Sequence, residues 1–121
     1  MTILDVIAVA AGGFLGAVIR YVVSKKLNSN VSIPVGTFIV NMIGCLLIGF
    51  VASLGLSIPL TFFLISGLTG ALTTFSTWIK EVLGMSRLHE WGKASTYMLG
   101  SILLGILFVY VGYISGSFFS V

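Results

Sequence analysis

The sequence predicts an all-α membrane protein of four transmembrane helices, with the third helix broken near its middle. The 121 residues are 58% hydrophobic and only 7% charged, whereas soluble domains carry about 25% charged residues. A spanning helix takes about 20 mostly apolar residues, and four such stretches fill the chain, at residues 3–23, 34–54, 59–83 and 94–116. Residues 1–121 are therefore predicted to form one multi-pass domain in the cell membrane.

The first two spans carry the marks of closely packed membrane helices. Gly12 and Gly16 are four residues apart and face one side of the first span, where another helix can approach closely. Residues 28–32 form a polar connection, and Pro34 suits the first turn of the second span. Asn41 is the only amide side chain in that second span and lies in its first third.

The third span contains the most informative segment of the chain. Pro59 opens it, and its apolar first half is followed by four hydroxyls within five positions, Thr73, Thr74, Ser76 and Thr77. Glycine and β-branched threonine lower helix propensity, so we expect the helix to break near residues 70–74 and to resume through Trp78. In a bilayer, hydroxyls and loosened backbone groups must find partners in protein, ion or water. A polar cluster at this depth therefore indicates a path for a small ion or substrate.

The remainder of the chain is predicted to be one loop and one long helix. Residues 84–93 hold several charged side chains and are expected to form a solvated loop. In the fourth span Tyr97 and Ser101 lie on one helical face, and Gly112 and Gly116 form a second pair of small residues suited to close helix contact.

Lysine and arginine are confined to one side of the predicted bundle. Four spans place the first and third loops on one side and both termini on the other, and all the basic residues lie in those loops or at the adjoining span ends: Arg20, Lys25, Lys26, Lys80, Arg87 and Lys93. The positive-inside rule then predicts cytoplasmic first and third loops and external termini. The formal net charge of +3 is thus topological information and does not indicate nucleic-acid binding.

The pattern of reactive residues argues against an enzyme. The carboxylates Asp5, Glu81 and Glu90 lie near segment ends or in loops, and His89 and Cys45 have no metal-ligand spacing around them. Three classes of membrane protein stay open: an ion channel, a small multidrug-type exporter and a non-conducting assembly subunit. An exporter would need an acidic residue well inside the first helix, and Asp5 is too near its end.

Several side chains in the spans could replace the water around a small ion. The amide of Asn41 can donate two hydrogen bonds, although it could instead join two helices. The electropositive ring edge of Phe75 can favour an anion. The hydroxyls of Ser76 and Thr77 can donate to an anion or bond back to their own helix.

Backbone and basic groups add further possibilities. A helix break would free the carbonyls of Gly70 and Thr73, and unwound carbonyls suit a small cation. Arg20 either extends to the interface or draws anions to a pore mouth. Lys80 and Glu81 are most simply interfacial anchors.

Three segments together resemble the Fluc family of bacterial fluoride channels, also called CrcB. They are residues 12–21 (GGFLGAVIRY), 36–44 (GTFIVNMIG) and 67–77 (GLTGALTTFST), and they follow one another through the first three spans. The resemblance implies a fluoride-selective channel that exports fluoride passively and lowers its toxicity in the cytoplasm. It also implies an antiparallel dimer with two fluoride pathways at the subunit interface and a central structural sodium ion.

The resemblance further implies roles for individual residues. The carbonyls of Gly70 and Thr73 would hold the sodium ion, and Arg20 would lie near the aqueous vestibule. The other matching residues would line the fluoride pathway: Asn41, Phe75, Ser76, Thr77, Trp78, Tyr97 and Ser101.

Two features depart from the family pattern. Trp78 stands where family members carry a second phenylalanine, three residues after Phe75. Because an indole is larger and adds an N–H donor, we expect it to narrow, alter or disable one pathway. The one-sided basic residues oppose insertion of one chain in both orientations. Both a homodimer and a heterodimer with a paired homologous subunit are therefore considered, and the charge bias favours the heterodimer.

Overall fold

The computed structural model describes residues 1–28 and 34–120. Within these ranges four helical segments are long and apolar enough to cross a membrane: Ile3–Leu27, Val35–Leu54, Ile58–Arg87 and Trp91–Ser117. The predicted all-α architecture with four spans is confirmed. The first, third and fourth spans are longer than predicted. Most of the polar connection expected at residues 28–32 lies outside the described residues.

The third span is the only described span assembled from more than one helix. The elements in chain order are α1 (Ile3–Leu27), α2 (Val35–Leu54), α3 (Ile58–Thr61), a π-helical stretch (Phe62–Thr69), α4 (Gly70–Leu72), α5 (Ser76–Arg87) and α6 (Trp91–Ser117). The third span thus runs from α3 to α5 and is interrupted between α4 and α5. The π-helical turns were not expected from the sequence, although such turns commonly mark functional sites.

Capping residues define where the spans begin and end. The Thr2 hydroxyl accepts from the Asp5 N–H and the Asp5 carboxylate accepts from the Thr2 N–H, which forms a capping box at the start of α1. Gly55 ends α2 in the left-handed conformation with φ 63°, which glycine adopts without steric cost. Pro34 directly precedes α2 instead of occupying its first turn.

Glycines bring α1 against the first half of the third span. A Cβ on Gly12 would meet the carbonyl oxygen of Phe63, and a Cβ on Gly16 would meet the carbonyl oxygen of Leu68. The predicted contact face at Gly12 and Gly16 is confirmed, because only residues without a side chain permit this approach of two backbones.

A second set of glycines joins α2 and α6. A Cβ on Gly112 would meet the carbonyl oxygen of Leu46, and one on Gly116 would meet the backbone of Phe50. Gly49 makes the reciprocal approach from α2. The small pair predicted in the fourth span is therefore a helix contact.

The connection between α5 and α6 is shorter than predicted. Only residues 88–90 are non-helical, so the expectation of a loop over residues 84–93 is wrong at both ends. Met85, in the extended part of α5, is buried in an apolar cluster with Trp78, Val82, Ala94 and Tyr97. His89 takes a left-handed conformation with φ 58° in the tight turn, and Lys93 pairs with Glu90 at 2.8 Å.

Candidate ion site at the broken third helix

The break in the third span lies at residues 73–75, slightly later than predicted. Gly70 is still helical, with φ −60° and ψ −38°, whereas Thr73 is extended, with φ −85° and ψ 157°. The helix resumes at Ser76. A broken third helix is thus confirmed, but Gly70 begins the last helical turn before the break instead of forming part of it.

Asn41 of α2 holds the break by pairing with the backbone of Thr74. Its Oδ1 accepts a hydrogen bond from the Thr74 N–H at 2.8 Å, and its Nδ2 donates to the Thr74 carbonyl at 3.1 Å. The amide therefore takes the place of the helical partners that Thr74 lacks in the extended conformation. This satisfies both backbone groups at a depth where water cannot.

Two of the backbone donors that an unbroken helix would use are diverted to side chains. In a continuous α-helix the N–H of Thr74 would donate to the carbonyl of Gly70, and the N–H of Thr77 would donate to the carbonyl of Thr73. Here the Thr74 N–H donates to Asn41, and the Thr77 N–H donates to the Thr74 hydroxyl at 3.2 Å. The carbonyls of Gly70 and Thr73 lose their helical donors, and these are the two carbonyls that the sequence resemblance singles out.

Arg20 of α1 donates to the carbonyl of Ala71, one of the two residues between Gly70 and Thr73. Its Nε donates to the carbonyl oxygen of Ala71 at 2.9 Å. The half-buried side chain also borders an open cavity of 400 Å³ shared with Tyr21, Lys25 and Thr77. Neither of the two roles expected for Arg20 from the sequence included this contact, because it joins residues 51 positions apart.

A cavity of 290 Å³ lies directly beside the break and brings together five of the residues singled out from the sequence. Those that line it are Asn41, Thr73, Phe75, Trp78 and Ser101, together with Thr74 and apolar side chains of α2 and α6. The Phe75 ring is 72% exposed and stacks at a tilt on Trp78, with 5.6 Å between ring centroids. The exposed ring edge is therefore available to an ion or to a second subunit.

The other predicted pathway residues lie outside this cavity. Ser76 is exposed at the start of α5, and Thr77 borders the Arg20 cavity instead. Tyr97 lines a separate, mainly apolar cavity of 240 Å³ that shares Ser101 with the first one. The residues predicted to line one fluoride pathway are thus divided among separate cavities within a single subunit.

Two polar atoms beside the break are buried and lack a hydrogen-bond partner among the described residues. They are Nε1 of Trp78 and Oγ of Ser101. The Trp78 side chain is only 8% exposed, so the indole fills space in the core cluster as well as one wall of the cavity. The size of the indole therefore affects both the packing of the core cluster and the width of the cavity beside the break.

Sequence reasoning missed a polar network at the middle of α5. The Glu81 carboxylate accepts hydrogen bonds from the Thr37 hydroxyl at 3.0 Å and from the Tyr97 hydroxyl at 3.1 Å. Thr37 is fully buried and accepts in turn from Nδ2 of Asn28 at 3.0 Å. The expectation that Glu81 is an interfacial anchor is wrong, because its carboxylate points inward and joins α2, α5 and α6.

Only weak sequence signals could have revealed that network. Glu81 and Tyr97 lie on different helices, and nothing in their spacing shows that they face each other. The best signal was the presence of Thr37 and Tyr97, both polar, inside apolar spans. Asn28 adds α1 to the network, since its Oδ1 also accepts from the Gly36 N–H at 2.6 Å. The network therefore links the C-terminal cap of α1 with α2, α5 and α6.

Asp5 does not supply the intramembrane carboxylate that an exporter would need. It is 4% exposed, and its oxygen Oδ2 accepts from the Thr2 N–H at 2.8 Å in the capping box. Its carboxylate therefore caps the beginning of α1. This agrees with the sequence argument that Asp5 lies too near the end of the helix to serve an exporter.

The fold and the site together define a multi-pass membrane protein with a partly polar cavity beside an interrupted helix. The chain belongs to the CrcB family, since the family model described as "CrcB-like protein, Camphor Resistance (CrcB)" matches residues 7–113. The resemblance recognised from three sequence segments is thereby confirmed.

Named relatives agree with this membership along nearly the whole chain. A protein of Aquifex aeolicus named fluoride-specific ion channel FluC is 42% identical over 118 residues, which cover 92% of this chain and 95% of the relative. A protein of the same name from Oceanobacillus iheyensis is 39% identical and covers 89% of this chain and 88% of its own. One from Methanococcus aeolicus is 36% identical, with 89% and 91% covered.

Proposed function

We propose that this chain is a subunit of a fluoride-selective ion channel in the cell membrane. It carries fluoride passively out of the cytoplasm and thereby lowers fluoride toxicity, and it is not an enzyme. The observation that carries the proposal is the bond between Asn41 and Thr74, which holds the third helix open beside a cavity. Membership of the CrcB family and relatives named as fluoride channels support the same ion.

The groups around the cavity suit a small, strongly hydrated anion. Fluoride gives up its water only if donors replace it, and this space is lined by Asn41, Ser101 and Phe75, which carry an amide, a hydroxyl and an electropositive ring edge. In this reading Trp78 narrows the path, since its indole forms part of the same wall. Ser76, Thr77 and Tyr97 would extend the fluoride pathway from the break toward the end of the bundle where α5 and α6 are joined.

A structural sodium ion is the cofactor that we propose. The carbonyls of Gly70 and Thr73 fit such an ion, because their helical donors are diverted to side chains and because the carbonyl end of a helix carries partial negative charge. A bound sodium ion would supply the positive charge that holds these carbonyls together. Unwound carbonyls are the usual ligands for sodium in membrane proteins with broken helices.

The active unit that we propose is an antiparallel dimer surrounded by lipid. Phe75 is 72% exposed in one subunit, although it borders the cavity, so the pathway becomes enclosed only when another subunit covers it. The partner is a second copy or a paired homologous chain. Antiparallel packing would bring the Gly70 and Thr73 carbonyls of both subunits around one sodium ion.

Fluoride efflux from liposomes tests the proposal. Purified protein is reconstituted as wild type, Asn41→Asp and Phe75→Ile, and fluoride release is recorded with an electrode beside protein-free vesicles. We expect rapid efflux from the wild type and efflux near the protein-free level from both variants. Equal release from all four preparations would leave the non-conducting assembly subunit or a channel that requires its paired chain. Adding a co-expressed homologous chain then separates those two outcomes.

A further inference from the structure

Arg20 contacts the carbonyl end of α4, the helical turn that precedes the break. It follows Gly16 by four residues and so shares its helical face. Gly16 packs against the carbonyl oxygen of Leu68 and the N–H of Leu72, which brings the backbone of α1 beside α4. From this position Nε of Arg20 reaches the carbonyl oxygen of Ala71 at 2.9 Å.

The contact engages one of the carbonyls next to the break. Gly70 and Ala71 belong to the three-residue α4 and Thr73 directly follows it, at the point where a helix leaves its last carbonyls without amide partners. Arg20 occupies the carbonyl of Ala71. The helical donors of Gly70 and Thr73 are diverted to Asn41 and to the Thr74 hydroxyl.

We propose that Arg20 is a positioning residue for the cation site, where its Nε–H holds the carbonyl of Ala71 and orients the last turn of α4 so that Gly70 and Thr73 present their carbonyls to sodium. The inference rests on the sodium site of the proposed function. It assigns Arg20 to the broken helix, in addition to its position beside the open cavity. The hydrogen bond, and not the positive charge, is the property that matters.

Two substitutions separate the hydrogen bond from the charge. In arginine Nε is the fourth side-chain atom, and in glutamine the amide nitrogen Nε2 occupies the same position along the chain. Arg20→Gln therefore keeps a donor at the right reach and removes the charge. Arg20→Met has a methyl group at that position and removes both. Lys25→Met is the matched control, because it removes a positive charge that borders the same cavity.

The measurement is the thermal unfolding of detergent-purified protein as sodium is titrated. Choline chloride replaces sodium chloride so that ionic strength stays constant, and the sodium concentration for half-maximal stabilisation is compared among the variants. A ligand that binds only the folded protein raises its stability with concentration. We expect Arg20→Met to need at least about tenfold more sodium than the wild type, a loss of about 1.4 kcal/mol in binding. We expect Arg20→Gln and Lys25→Met to stay within about threefold of the wild type.

The results separate three questions: whether the cation site exists, whether Arg20 affects it, and whether the hydrogen bond or the charge is responsible. If the wild type shows no response to sodium, the cation site of the proposed function fails and this inference fails with it, while fluoride efflux still tests the channel. If the wild type responds and Arg20→Met matches it, only the role of Arg20 is overturned. Equal losses in Arg20→Gln and Arg20→Met would assign the effect to charge and overturn the hydrogen bond. If Arg20→Met does not fold, Arg20→Gln alone decides: a sodium requirement near that of the wild type supports the proposal, and a tenfold rise contradicts it.

Discussion

Asn41 completes the backbone hydrogen bonding of Thr74, accepting from its N–H at 2.8 Å and donating to its carbonyl at 3.1 Å. The sequence left two roles open for this residue, a donor in an ion path or a link between helices. The structure shows the link and also places the side chain on the wall of the cavity beside the break. One amide therefore joins α2 to the third span and borders the space proposed for the ion.

Asn41→Leu is expected to destabilise the fold as well as the channel. Leucine has a similar shape but leaves both backbone groups of Thr74 without a partner, and each buried unsatisfied group costs about 1–3 kcal/mol. We expect a loss of about 2–4 kcal/mol in the free energy of unfolding, measured by denaturant titration in detergent. Asn41→Asp keeps the acceptor and should lose less. A stability of Asn41→Leu equal to that of the wild type would show that the pairing is dispensable.

Glu81 and Tyr97 are expected to be energetically coupled. The carboxylate accepts from both Tyr97 and Thr37, and hydrogen bonds to charged groups are worth about 1.5–3 kcal/mol. Glu81→Gln, Tyr97→Phe and the double variant form a cycle in which we expect a coupling of about 1 kcal/mol. The measurement is the free energy of unfolding of all four proteins.

Glu90→Gln is the control for that cycle. Glu90 forms its ion pair with Lys93 on the surface, and exposed pairs contribute about 0–1 kcal/mol. Its removal should change stability far less than Glu81→Gln does. Additive effects of Glu81→Gln and Tyr97→Phe would contradict the direct contact between the two side chains.

Gly112→Ala is expected to separate α2 from α6. The added Cβ would meet the carbonyl oxygen of Leu46, and neither backbone can move without disturbing the packing of the pair. Overpacking of this kind costs about 1–3 kcal/mol. Gly100→Ala on the same helix is the matched control, since a Cβ added there would meet nothing within 4 Å outside its own helix backbone and chain neighbours. Alanine there should be neutral or stabilising by up to about 1 kcal/mol, and thermal unfolding compares the two directly.

Trp78→Phe is expected to speed fluoride efflux. Phenylalanine removes an unpartnered N–H and part of the cavity wall. If the indole adds about 1.4 kcal/mol to the permeation barrier, the rate should rise about tenfold. Trp91→Phe, at an exposed position at the start of α6, serves as the control and should leave efflux unchanged. A slower rate for Trp78→Phe would mean that the indole assists permeation.

The chain is expected to insert in one orientation, with external termini. Arg20, Lys25, Lys26, Lys80, Arg87 and Lys93 all lie at the end of the bundle where α1 ends and α6 begins, and such a bias directs those loops to the cytoplasm. A reporter fused to the C-terminus should therefore be detected almost entirely outside. Equal amounts on both sides would refute the heterodimer hypothesis and favour an antiparallel homodimer of one chain.

Local patterns were sufficient to predict the spans and the packing glycines. Apolar length set the four helices, and spacing by four identified Gly12 with Gly16 and Gly112 with Gly116 as contact faces. The hydroxyl-rich segment predicted an interruption, because helix propensity is a local property. The extent of the helices around residues 88–90 was predicted poorly, since the burial of Met85 against residues of α6 is a tertiary contact that the charged segment did not indicate.

The sequence by itself determined a four-span membrane protein with an interrupted third helix, because the membrane demands apolar length and satisfied backbone groups that can be read along the chain. Only the tertiary structure decided where the break lies and what holds it. Asn41 is hydrogen-bonded to the backbone of Thr74, and Arg20 donates to the carbonyl of Ala71. The carboxylate of Glu81 accepts hydrogen bonds from Thr37 and Tyr97 on other helices. These bonds join residues that are far apart in sequence, and no local periodicity encodes which side chains meet when the helices pack.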